Sequence, residues 1–228
     1  MGKNSFLRNN WHIFVVTLVV ILLGILNYKK NIYLTGWDNL QTELYPTLAI
    51  KRAFFSVWQE YQSFGLIAGM AHAADLPRAL FNFVVASIIP QEMVRYVSMI
   101  VYIWIGAMGA FYLFVHSLEH VVYKKIFALL GCLLYVINIG SIQILSLPFE
   151  AFSLFFAALP WLILSIFTLL DTKKSITRKN ILIFIFIQFL ASSYAVAQQL
   201  FVVYGLVIAI IFICHFFRNP TRLSLIHI

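Results

Sequence analysis

The apolar run WHIFVVTLVVILLGILNY occupies residues 11–28 and decides the fold class of this chain. Its 18 residues suffice to cross a bilayer as one helix, since a span needs about 17–25 apolar residues. A secretory signal peptide would have a shorter apolar core and would end in a small-residue cleavage site. This run ends in Asn27-Tyr28-Lys29-Lys30 instead, which favours a retained first membrane span.

The composition of the whole chain agrees with an all-α membrane protein. Of its 228 residues 62% are hydrophobic and 11% are charged, whereas soluble domains carry about 25% charged residues. The net charge of +8 does not indicate nucleic acid, because basic residues are expected beside the cytoplasmic ends of membrane spans. Cys132 and Cys214 lie inside apolar runs and are interpreted as small buried hydrophobic residues, not as a disulfide or a metal site.

Further apolar runs follow, and they predict about six transmembrane helices. After the first span come residues 94–116, 126–139 and 149–170. Residues 181–217 are too long for one span, and the polar residues between 192 and 199 divide them into two helices. Pro160 predicts a kink in the fourth span, and residues 141–147 are interpreted as a short turn.

The exception to this pattern is the long first loop, residues 31–90. Leu40, Leu44 and Leu48 recur every four residues, with Phe55 and Trp58 roughly in phase, which predicts an amphipathic helix lying in the membrane interface. Asp75 and Pro77 then resemble the cap and first turn of another helix. Residues 80–89 are apolar but too short to cross the bilayer, so they predict a second interfacial or re-entrant helix.

The distribution of basic residues orients the chain. Residues 171–180 form a short loop with four basic residues, Lys173, Lys174, Arg178 and Lys179. With the N-terminus in the cytoplasm this loop also lies inside, as the positive-inside rule requires. The long first loop is therefore predicted to be extracytoplasmic.

Asp38, in TGWDNLQTELYP at residues 35–46, is the candidate catalytic residue. A carboxylate at headgroup depth can act as a general base on an acceptor hydroxyl, or can hold a divalent metal against a phosphate. Whether Asp38 is a general base or a metal ligand stays open, and no cofactor besides such a divalent metal is predicted. The structural alternative is that Asp38 and Gln41 form a capping box at a helix start, which the spacing alone favours.

Six further residues are candidates for substrate binding, each with a plainer alternative. Basic residues of the first loop can bind a lipid phosphate or extend to the headgroups. Its acid and histidine can contact the substrate or simply face solvent, and a carboxylate at the start of the fourth span is either a site residue or a helix cap. These candidates are Glu43, Lys51, Arg52, His72, Arg78 and Glu150.

The order of features resembles the N-terminal region of GT-C type membrane glycosyltransferases, and most closely that of arabinofuranosyltransferase-like proteins. The residues that carry this resemblance are Gly36-Trp37-Asp38, Pro46, Trp58, Gly65, Gly69, Pro77, Phe81, Pro90, Arg95-Tyr96 and residues 106–113, GAMGAFYL. About half of the chain resembles that family by motif and the remainder by span pattern only.

The resemblance implies an enzyme of the bacterial cytoplasmic membrane. It would transfer a sugar from a polyprenyl-phosphate donor to a cell-envelope glycan or glycolipid. Asp38 would be the base, and membrane lipid would surround the protein. The alternative is a transporter or lipid flippase, for which charged residues deep inside the spans would be expected. A third hypothesis is a structural partner of an envelope enzyme.

One domain covers residues 1–222 in this interpretation. Residues 223–228, LSLIHI, look like a non-native tail, and the chain is interpreted as an N-terminal fragment of a longer protein.

Overall fold

The computed structural model describes residues 3–34, 44–55, 58–59, 65–67, 73–146, 149–171 and 176–218. Its regular structure there is helical apart from one antiparallel pair of two-residue strands, β1 (Trp58–Gln59) and β2 (Leu66–Ile67). The helices are α1 (Lys3–Asn27), α2 (Pro46–Phe55), α3 (Leu76–Ala86), α4 (Gln91–Ser117), α5 (Lys124–Val136), α6 (Ile139–Ser146), α7 (Glu150–Leu170), α8 (Arg178–Ala191) and α9 (Gln198–Arg218). A 3-10 helix, Ser192–Val196, connects α8 to α9.

Four of the described helices are long and apolar enough to cross a membrane, which makes the chain a membrane-embedded helical protein. They are α1 from Asn10, α4, α7 and α9 as far as Phe217. Two of the six predicted spans correspond to shorter helices, since α5 has 13 residues and α8 has 14. Six spans therefore stay a prediction.

Helix α4 lies at the centre of the bundle, and α1 runs antiparallel to it. Tyr28, just after α1, packs edge-on against Tyr96 near the start of α4, with 5.4 Å between ring centroids. At the opposite end His12 stacks on Phe111 at 4.2 Å. Arg95 lies near the start of α4 and His116 near its end. The two ends of the bundle are therefore called the Arg95 end and the His116 end.

Helix α7 runs parallel to α4 and forms the most extensive interface of the bundle with it. Small residues make this approach close: a Cβ atom on Gly106 would lie 2.8 Å from the Phe156 ring, and one on Gly109 would lie 2.6 Å from the Trp161 indole nitrogen. That indole N–H donates a hydrogen bond to the Ile105 carbonyl at 2.9 Å. The interface is consequently dense, like other protein interiors.

Pro160 lies within α7, and its effect on the backbone hydrogen bonds is compensated by a neighbouring helix. Proline has no N–H, so it cannot bond the carbonyl four residues earlier in the helix, which is that of Phe156. The hydroxyl of Tyr135 in α5 donates to this carbonyl at 2.7 Å. The carbonyl that Pro160 leaves without an N–H donor thus accepts a hydrogen bond from α5.

Two sequence-based predictions about local structure are wrong. The helical periodicity from residue 40 was expected to include Trp58, but α2 ends at Phe55 and Trp58 belongs to β1. Residues 141–147 were expected to form a turn, but Ile139–Ser146 is helix α6.

A helix break lies just before α6, at Asn138. The Asn138 side-chain amide donates to the Tyr135 carbonyl at 2.6 Å, while its oxygen accepts from the Ser141 backbone N–H at 3.1 Å. These bonds satisfy the end of α5 and the start of α6, as capping residues do.

Two predictions about single residues are also only partly right. Asp75 precedes α3 as expected, but its carboxylate makes no capping hydrogen bond and binds Arg78 instead. Cys132 is buried as expected, whereas Cys214 is exposed on α9.

Candidate functional site

Four charged side chains meet at the Arg95 end of the bundle and form what is called here the ionic cluster: Asp75, Arg78, Arg95 and Glu150. Each of the four residues is less than a tenth exposed. They come from three places in the chain, namely the start of α3, the second turn of α4 and the first turn of α7. Burial of charges is unfavourable unless they are paired, so the cluster requires all three helices.

Arg78 is held by two carboxylates. Its Nε donates to Asp75 Oδ1 at 2.6 Å and its Nη2 pairs with the other oxygen of Asp75, which is a two-point contact. Its Nη1 lies 3.5 Å from Glu150 Oε1. Burial by itself lowers the pKa of Arg78, but the charge and hydrogen bonds of Asp75, with the charge of Glu150, raise this pKa above its ordinary value. Arg78 is therefore a permanent cation in the cluster.

Glu150 joins the two arginines. The same oxygen, Oε1, that faces Arg78 is paired with Arg95 Nη2. Glu150 is also the first residue of α7, where the helix dipole favours a negative charge. With two arginines and two carboxylates the cluster has no net formal charge.

A small cavity adjoins the cluster. It has room for about one water molecule, and its lining consists of Arg78, Asn82, Arg95, Ser98, Met99, Tyr102 and Glu150. Ser98 Oγ donates to Asn82 Oδ1 at 3.0 Å, which connects α4 to α3 in the cavity wall. The lining offers several hydrogen-bond donors to a polar group.

The same end of α4 also binds the backbone of the first loop at two points. Arg95 Nη1 donates to the Leu34 carbonyl at 3.1 Å, and Gln91 Nε2 donates to the Leu44 carbonyl at 2.8 Å. Gln91 and Arg95 are four residues apart and so lie on one face of the helix. Leu34 and Leu44 flank residues 35–43, the segment that contains Asp38.

The candidate residues chosen from the sequence divide into three groups. Arg78 and Glu150, which are 72 positions apart, are brought together in the cluster. Lys51 is exposed and Arg52 half-buried on α2, and neither is among the cluster residues. Asp38, Glu43 and His72 lie outside the residues that the structure describes.

Sequence reasoning missed Asp75 and Arg95 as members of a site, and also the cavity residues Asn82, Ser98 and Tyr102. One signal was present: Asp75, Arg78 and Asn82 recur at three- and four-residue spacing, which places them on one helical face. The sequence does not show which residues this face contacts, because Arg95 and Glu150 are distant from it in the chain.

Within the described part of the chain, no three or more histidine, cysteine or acidic side chains are grouped so that they could hold a metal ion. Comparisons of the chain with protein-family models, with curated proteins and with solved structures give no match. The resemblance to GT-C glycosyltransferases therefore rests on the motifs and the span pattern of the sequence alone.

Proposed function

We propose that this protein transfers a sugar from a polyprenyl-phosphate donor to a cell-envelope glycan or glycolipid, at the Arg95 end of its helix bundle. Asp38 is the general base that deprotonates the acceptor hydroxyl. Lys51, which is exposed on α2, and Arg52 offset the charge of the departing lipid phosphate. Arg78 contributes less to that step in this proposal, because two carboxylates already neutralise it.

The observation that supports this proposal most is the attachment of the first loop to α4. Arg95 and Gln91 bind the backbone on both sides of residues 35–43, and Arg95 is itself fixed by Glu150. A catalytic base must be held within hydrogen-bond reach of its substrate. Two attachment points next to the Asp38 segment are what such a base would need.

The interior of the bundle favours this function over transport. The charged residues of the cluster lie at one end of α4 and α7, and not halfway along them. Beyond the cavity residues Ser98 and Tyr102, α4 buries apolar side chains of at most 2% exposure, namely Ile103, Ala107 and Phe111. A transport path would require polar or ionisable groups at that depth.

The proposed side of the membrane follows from the other end of the bundle. Helices α5 and α8 both begin at the His116 end, with Lys124-Lys125 and Arg178-Lys179 in their first turns. Clustered basic residues favour the cytoplasmic side. In this proposal the ionic cluster and the first loop are therefore extracytoplasmic, in the bacterial cytoplasmic membrane.

The direct test is Asp38→Asn, measured as transfer of labelled sugar from a polyprenyl-phosphate donor in membranes that contain the full-length protein. Loss of a general base lowers the rate by about 10²–10⁴-fold, and kcat should fall more than KM rises. Glu119→Gln is the matched control, since Glu119 is half-exposed and faces the exposed His120 at the opposite end of the bundle.

Two additions to this assay separate the alternatives. Unchanged transfer by Asp38→Asn would exclude the assigned base, and a solute flux in liposomes without any transfer activity would favour a transporter. Repeating the transfer with a chelator distinguishes a simple base from a metal-held carboxylate, because only the latter loses activity when divalent ions are removed.

A further inference from the structure

Helix α3 is amphipathic in the reverse of the usual sense. Its buried residues include the two most polar, Arg78 at 6% and Asn82 at 4% exposure. Its exposed large side chains are all apolar, and they are Leu80 (42%), Phe83 (43%), Val84 (56%) and, just after the helix, Ile88 (77%). A helix on the surface of a soluble protein buries its apolar face and exposes its polar one.

The exposed residues of α3 form one continuous stripe. Positions 80, 83, 84 and 88 differ by three, four and eight residues, which places them on one face of a helix. These four residues are called the α3 stripe below. Apolar side chains are unfavourable in contact with water, so a continuous stripe of this kind indicates an apolar surrounding.

Neighbouring helices extend this apolar surface. Helix α2 packs against α3 and leaves Leu48, Phe54 and Phe55 exposed by 44–77%, with the exposed Lys51 among them. Helix α8 also packs against α3, and it exposes Phe186, Phe189 and Leu190 by 46–59%. Helix α8 in turn packs against α7, one of the helices long and apolar enough to cross a membrane, so α3 adjoins a helix of the bundle that also exposes apolar side chains.

We propose that α3 is a half-inserted helix whose stripe contacts the acyl chains of the lipid leaflet, while its polar face is satisfied inside the protein. Eleven residues span about 16 Å at 1.5 Å each, roughly half of a hydrocarbon core of about 30 Å. Asp75 and Glu150 bind Arg78, and Ser98 binds Asn82. No polar side chain of α3 therefore needs to meet lipid, as membrane burial requires.

This placement has a consequence for the ionic cluster. Lipid on the outer face of α3 keeps water away from Arg78 and Asn82 on the inner face. Charge pairs interact more strongly where the effective dielectric constant is lower. The cluster then fixes the first loop to the bundle from below the headgroup layer, whichever reaction the protein performs.

The test uses a fluorescent label at Val84→Cys, within the stripe, in protein reconstituted into phosphatidylcholine vesicles. The background is Cys214→Ser, and Cys132 stays because it is fully buried. Nitroxides on acyl chains report contact with lipid tails, and iodide reports contact with water. Ile210→Cys, 59% exposed on α9, is the tail reference, and Tyr123→Cys, 65% exposed between α4 and α5, is the water reference.

The proposal expects the Val84 label to lose fluorescence with acyl-chain nitroxides as the Ile210 label does, and to resist iodide. Quenching by iodide, as at Tyr123, would overturn it, because α3 would then face water. Protection from both quenchers would also overturn it, since protein would cover the stripe; energy transfer between differently labelled copies would show whether that cover is a second copy of the chain. Leu80→Cys repeats the measurement if Val84→Cys does not yield monodisperse protein.

Discussion

At the scale of single residues, Glu150 is the member of the ionic cluster that pairs with both arginines. One of its oxygens faces guanidinium groups from α3 and α4. A carboxylate shared in this way is more costly to lose than a surface ion pair, which contributes about 0–1 kcal/mol. Without it, Asp75 would be the one carboxylate left among the four residues of the ionic cluster, beside two buried arginines.

Glu150→Gln should therefore destabilise the protein by about 3–5 kcal/mol, because it removes the carboxylate charge that two buried guanidinium groups share. The measurement is the thermal midpoint of unfolding in detergent. Unfolding is monitored through the reaction of the Cys132 thiol with a fluorogenic maleimide in the Cys214→Ser background. Glu119→Gln, at a half-exposed carboxylate, should change stability by less than about 0.5 kcal/mol.

A double variant makes this prediction specific. Adding Arg95→Gln to Glu150→Gln restores a neutral cluster, so the loss should be smaller than the sum of the two single losses. Strict additivity would mean that the two side chains act independently, against the interpretation of the cluster as one unit.

At the scale of elements, the close packing of α4 on α7 depends on Gly106 and Gly109, both of which lie in α4. The space beside Gly109 is filled by Trp161 and Pro160, and the Trp161 indole is fixed by its hydrogen bond to Ile105. Gly205 in α9 has no atom within 4 Å of where a Cβ would lie. The same substitution should thus have opposite effects on the two helices.

Gly109→Ala should destabilise the protein by about 1–3 kcal/mol, the usual cost of adding volume to a packed core. Gly205→Ala should be neutral or stabilise it by up to about 1 kcal/mol, because alanine is the better helix former. Thermal midpoints of both variants by the Cys132 assay provide the comparison. Equal effects at the two positions would contradict the close α4–α7 contact.

At the scale of the whole molecule, contacts between the helices show at which end of the bundle each connecting segment lies. Residues 118–123, after α4, lie at the His116 end. Lys29 and Lys30, after α1, lie at the Arg95 end, because Tyr28 packs on Tyr96. If α1 and α4 cross the bilayer, these two segments face opposite compartments.

Single cysteines at Lys30 and Tyr123, in the Cys214→Ser background, test this arrangement. In cells, a membrane-impermeant maleimide should label Lys30→Cys from outside and should reach Tyr123→Cys only after permeabilisation. Both positions are exposed, so reactivity itself is not limiting. Labelling of the two from the same side would refute the topology, and inverted labelling would refute only its orientation.

The sequence by itself determined that this chain is helical and membrane-embedded, because apolar runs of span length require no partner to be recognised. It also located the charged end of the fourth span, Glu150, and a short apolar helix near residues 80–89. These features are local, since each depends on composition or period within one segment. The same is true of the Cys132 environment, but not of Cys214, whose exposure depends on where α9 packs.

Only the tertiary structure decided which polar residues meet. Asp75, Arg78, Arg95 and Glu150 become one cluster because α3, α4 and α7 converge at a single end of the bundle. It likewise decided that Tyr135 binds the carbonyl freed by Pro160, and that α3 turns its polar face inward. The physical reason is that a buried charge or unpaired carbonyl is stable only beside a partner, and partners distant in sequence are identified by packing alone.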